Sequence, residues 1–139
     1  MAEGTELRDH DEVLNRQVHP GQWDTASGKP MLTAFGPQTA DRGLMSTLRG
    51  RVEANEAFRR HTVDHRLKSV GTWGVRVGDA IACELPCIDD GGSDGNPVDH
   101  ASVDFRSMTR PQMRVARRKL HEESVRRGPL YEPSGDDEA

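Results

Sequence analysis

The strictest constraint on the fold is the alternation within Ser69–Cys83, "SVGTWGVRVGDAIAC". Trp73, Val75 and Val77 fall on one side, Thr72, Gly74 and Arg76 on the other. A two-residue period is that of a strand with one face buried, so the rest of the chain must supply partners for a sheet. Val13–Val18 ("VLNRQV") alternates in the same way, with Leu14, Arg16 and Val18 on one face and Asn15, Gln17 and His19 on the other, until Pro20-Gly21 ends it. Met31–Phe35 ("MLTAF"), closed by Gly36-Pro37, and "GLMSTLRG" are read as two further strands. "HASVDF" (His100–Phe105) turns Ala101, Val103 and Phe105 inward and His100, Ser102 and Asp104 outward, and "LYEP" adds a short final edge.

Two segments follow the helical period instead. "VEANEAFRRHTVDH" has Glu53 and Glu56 in its first turn and Arg59, Arg60 and His61 towards its end, as the helix dipole favours. Fraying is expected from Thr62 to Asp64. A second helix runs from about Arg110 to Arg127, with Thr109 as N-cap, Pro111 in the first turn and Gly128-Pro129 as the stop. Met113, Ala116 and Leu120 give it a narrow apolar stripe. Without recurring βαβ units, the fold class is α+β: a small, mainly antiparallel sheet with one or two helices packed on it, including the C-terminal basic helix.

The chain has 139 residues, of which 33% are hydrophobic and 4% aromatic. That supports one small core in residues 12–131, with the acidic segments 1–11 and 132–139 read as disordered tails. No apolar run is long enough to span a bilayer, which argues against a membrane partner. The acidic opening lacks an apolar signal region, and with two cysteines the expected setting is a reducing cytoplasm.

Three groups of residues carry chemistry. His61 and His65 (H-x3-H) with Cys83 and Cys87 (C-x3-C) contain metal-ligand types, but the cysteine spacing exceeds that of paired zinc ligands and Pro86 lies inside it. A surface histidine pair with two buried or half-buried thiols is the simpler reading, and neither a metal nor another cofactor is expected; a zinc-stabilised module is the lesser alternative. The second group is the pair of polar strand faces. Were the two strands neighbours, His19, His100 and Asp104 would converge as catalytic groups, with Arg16, Gln17 and Ser102 as binding residues. Arg42 joins from a loop. The third is the basic helix, where Arg114, Arg117 and Arg118 offer a stripe to an anionic partner. The aspartates of "IDDGGSDGNPVD" lack the order of a calcium loop and read as an exposed, insertion-tolerant loop.

"LNRQVHP", "LKSVGTWGVRVGD" and "DHASVDF" together resemble small uncharacterised bacterial and phage proteins with RQVHP, VGxWGV and HAxxDF segments, over roughly residues 13–131. The resemblance implies a compact domain and no reaction. The first strand followed by "TAF" is also similar in pattern to ADP-ribosyl-transferring toxin folds, without their acidic catalytic residue or serine-rich strand. The leading expectation is a small accessory domain binding a partner protein encoded nearby. The alternative is an enzyme or binder acting on a nucleotide or nucleic acid through its His/Asp/Arg sheet face.

Overall fold

The computed structural model describes residues 4–38, 41–93 and 95–133. Its strands are β1 (Thr5–Glu6), β2 (Val13–Gln17), β3 (Trp23–Asp24), β4 (Lys29–Pro30), β5 (Leu44–Leu48), β6 (Thr72–Arg76), β7 (Cys87–Asp89) and β8 (His100–Asp104); its helices are α1 (Ala54–Arg59), α2 (Val77–Ala82) and α3 (Arg110–Arg127). Six strands form one sheet in the order β1-β7-β8-β5-β2-β6, every pair antiparallel, while β3 and β4 pair separately. The fold is therefore α+β, as the mixed periodicities predict.

Register explains the core. Leu14 faces Val75 across β2–β6, and Met45 faces Val103 across β5–β8. These residues, with Phe35, Phe105, Ala116 and Leu120, form one buried apolar cluster under α3. Thr109 accepts from the Gln112 N–H while the Gln112 side chain accepts from the Thr109 N–H, a complete capping box, and Gly128 closes the helix at φ +87°, where a side chain would be strained. His121 anchors α3 to β4 and the turn that follows it, donating through Nε2 to Pro30 O (2.8 Å) and meeting Phe35 edge-on at 5.7 Å.

β2 and β5 are in register at a single pair, Asn15 and Leu48, against five pairs for β2–β6 and five for β5–β8. Beyond that pair the Arg16 side chain bridges the strands, donating from Nη1 to Ser46 O at 2.9 Å. The same guanidinium donates from Nε to Ala34 O at 2.8 Å.

Several expectations change. Leu32–Phe35 is a 3₁₀ turn and not a strand; it folds inward so that Ala34 and Phe35 enter the core while the Ala34 carbonyl meets Arg16. That removes the strand on which the toxin-like pattern rested. The long strand predicted to reach Cys83 stops at Arg76 and continues as α2, whose Val77 and Ala80 complete the core. Segment 60–64 does not fray but widens into a π-helical turn, with His65 N–H bonded to Arg60 O and Thr62 Oγ1 to Phe58 O. Order also reaches into the acidic opening: Thr5–Glu6 pair with β7 and Leu7 is buried, because β7 would otherwise be an open edge. In place of the expected final edge strand, Tyr131 forms an isolated bridge with Thr72 and packs against the Phe58 ring, and residues 134–139 of the expected C-terminal tail lie outside the described residues.

Phe105 is among the largest fully buried side chains. Phe105→Ala is expected to lower unfolding free energy by about 3–5 kcal/mol in urea titrations; a loss below about 1 kcal/mol would contradict this packing.

Candidate functional site

The face of the sheet opposite α3 presents Asn15, Gln17, Ser46, Leu48 and His100, as the pairing of Asn15 with Leu48 and of Leu48 with His100 requires. α1 and the π turn cover one flank and the 95–97 loop the other, leaving a cleft of about 360 Å³ between them. Gln17, Ser46, His61, His65, Asn96 and His100 are among its lining residues.

His100 is held from behind. Its Nδ1 lies 2.6 Å from Asp90 Oδ1, and the Ser102 hydroxyl donates to Asp90 Oδ2, also at 2.6 Å. All three are buried, at 7%, 4% and 2% exposure for His100, Asp90 and Ser102. With a carboxylate as its partner Nδ1 carries the hydrogen, so Nε2 is the nitrogen left for a ligand. A carboxylate fixing one imidazole nitrogen while the other points at a substrate is the arrangement used in general-base catalysis.

His61 sits within hydrogen-bond reach of the Lys68 carbonyl (Nε2···O 3.3 Å), and burial pushes its pKa below the usual imidazole range. It is therefore neutral near pH 7, with Nε2 donating and Nδ1 able to accept. His65 caps the π turn and is exposed at the cleft mouth.

A chain of ion pairs sets the distance between the two walls. Arg60, on the α1 side, binds Glu56 (3.0 Å) and reaches Asp99 (3.3 Å) across the mouth. Asp99 also holds Arg51 at 2.7 Å, and the path continues through Asp89 and Arg49 to Glu12. Single exposed pairs contribute little, but a connected network ties the helix to the β7–β8 connection that carries Asp90.

The fold brings only part of the sequence-predicted set together. His100 and Gln17 line the cleft, and Ser102 stands behind His100 through Asp90. His19 does not meet His100, because β5 lies between β2 and β8; it caps the 3₁₀ turn Pro20–Gln22, its Nδ1 accepting from Gly21 N–H. Asp104 is four residues further along β8, about 13 Å away, and is paired with Arg106 at 2.8 Å. Arg114 and Arg118 are exposed on α3, remote from the cleft, whereas Arg117 packs on Gly36, whose missing side chain leaves room for it, and bonds Pro37 O (3.4 Å).

The cysteine–histidine set is not assembled either. Cys87 is sealed in the core, where burial pushes its thiol up to about 12, and Cys83 lies on the α2 side. Among the described residues no group of three or more histidine, cysteine or acidic side chains is arranged to hold a metal ion. Asp90 escaped the sequence reading because its run, "IDDGGSDGNPVD", has the composition of an exposed loop; Cys87–Asp89 are in fact β7, which draws Asp90 into the interior.

Fold and site together define a small α+β domain with a histidine-lined cleft on the polar face of its sheet. No protein-family model, curated protein or solved structure matches the chain.

Arg59 and Arg60 hold the Glu56 carboxyl at about 2, and Arg51, then Arg60, lower that of Asp99. Folded values below the unfolded ones make this stabilisation complete above the ordinary glutamate value of 4.5 and lost as pH falls towards 2. The urea midpoint should therefore drop between about pH 5 and about pH 2.5, and less steeply in Glu56→Gln. Parallel slopes for the two proteins would contradict the network.

Proposed function

We propose that the protein is a small enzyme or binder acting on a nucleotide or nucleic-acid end, with the cleft as its working site and His100 as general base. The observation that carries this reading is the buried Asp90–His100 contact, with His100 lining the cleft and Nε2 as the ring nitrogen left for a ligand. A cavity of about 360 Å³ lies within the range of small-molecule sites. Its lining joins apolar surface from Leu48, Leu67 and Pro97 to imidazole and amide groups, which suits a ligand with a flat base and a polar backbone. In this scheme Nε2 takes a proton from a substrate hydroxyl or water while Asp90 steadies the imidazolium. The free state of Cys83 and Cys87 supports a reducing, cytoplasmic setting, and the RQVHP-type segments a bacterial or phage one.

A panel of mononucleotides and short oligonucleotides, screened by thermal shift and then for turnover, tests the proposal. At least one should bind, and His100→Ala should lower its turnover by about 10²–10⁴-fold without shifting the melting temperature as core variants do. A panel with no ligand, or one whose turnover survives His100→Ala, would overturn it.

A second reading, binding of an acidic partner protein, is favoured by α3. Arg110, Arg114 and Arg118 recur at four-residue spacing on its exposed side, whereas Lys119, Arg126 and Arg127 are engaged by Glu123 and Asp79. The double variant Arg114→Glu/Arg118→Glu should lose capture of a partner expressed from an adjacent gene while keeping cleft activity; unchanged capture excludes this surface.

A further inference from the structure

Arg16 is the most deeply buried cation bordering the cleft, at 9% exposure. Among the described residues its hydrogen-bond partners are all backbone carbonyls: Ala34 O at 2.8 Å, Ser46 O at 2.9 Å and Gly36 O at 3.4 Å. Arg49, Arg51 and Arg60 each bind a carboxylate; among the described residues Arg16 binds none. Asp41 acts on it only through space, its own carboxylate accepting from Gln38 N–H. Burying a cation without an ionic partner is costly. Desolvation lowers its pKa to about 10, which still leaves it charged at neutral pH.

The lining of the cleft shows the matching bias. In a chain of net charge −4 with 23 acidic residues, no described lining residue is Asp or Glu, whereas two arginines and three histidines are present. Within this lining Arg16 belongs to the β2–β5 seam, where the ladder has stopped and Ser46 stays exposed.

Resting on the reading of this cleft as the working site, we propose that the seam between β2 and β5 is an anion subsite that takes a phosphoryl group. Arg16 supplies the field from beneath, and Ser46 and His61 face the group from the floor and the α1 wall. An anion there offsets the uncompensated guanidinium without displacing its carbonyl bonds, and the low-dielectric surroundings strengthen the attraction. The subsite fixes the phosphorylated end of the ligand, leaving the reacting group to His100 on β8, across β5 from the seam.

The probe is inorganic phosphate, added to the full chain at low ionic strength and followed by calorimetry and histidine-resolved NMR. Phosphate should bind, raise the His61 titration midpoint, and leave exposed His10, outside the cleft, unmoved. Arg16→Gln should weaken binding at least about tenfold and Arg16→Lys far less; where Arg16→Gln fails to fold, the His61 response in the native chain decides the matter. Absence of binding at millimolar phosphate, or equal responses of His61 and His10, would overturn the subsite. His100→Gln should leave phosphate affinity within about threefold, and a larger loss would overturn the separation from the base. Nucleotide turnover that needs His100 in a chain that does not bind phosphate would sink this inference alone.

Discussion

One buried guanidinium organises the centre of the molecule. Arg16 gathers the carbonyls of Ala34 and Ser46, so it joins the 3₁₀ turn that caps the core to the strand that leads across the sheet. Because it occupies the Ser46 carbonyl, β2 and β5 are in register at one pair only and part beyond Asn15 and Leu48. The seam that results is the floor of the cleft. A strand-to-strand ladder would have been the simpler way to satisfy those backbone groups; the side chain satisfies them and leaves a positive charge beside an opening.

The two sheet faces then serve different ends. The α3 face carries the apolar cluster of Leu14, Met45, Val75, Val103 and Phe105, and holds the strands in one register because a slip by one residue would turn every one of them to the wrong side. The opposite face is polar yet largely covered, so its groups must find partners within the fold. Asn15 donates to the Arg49 and Val52 carbonyls, Gln17 bonds Thr72 and Ser69, and Ser102 bonds Asp90. Of this row, His100 keeps one ring nitrogen without a partner among the described residues, and the ion-pair chain from Glu12 to Glu56 holds the walls apart in front of it.

Much of the fold was legible because its signals are local. The alternation of Val13–Val18, Thr72–Arg76 and His100–Phe105 corresponds to three real strands, and the Thr109 cap, Pro111 and Gly128 bound α3 at the predicted residues. Errors arose where tertiary contacts outweighed local pattern. "MLTAF" alternates weakly but curls because Phe35 is worth more inside the core, and "VGDAIAC" leaves the strand period once Val77 and Ala80 can reach the same cluster.

By itself the sequence determined the α+β class, the C-terminal helix with its caps, and the polar row holding His100 and Ser102, since each follows from periodicity or capping within a few residues. Only the tertiary structure decided which carboxylate serves His100. The choice of Asp90 over Asp104, ten residues before the imidazole instead of four after it, depends on β7 pairing with β8. Strand order likewise separated His19 from His100 and brought His61 and His65 to the cleft. Such groupings depend on which segments become neighbours, and that is set by burial of the whole apolar set at once, a quantity no single stretch of chain contains.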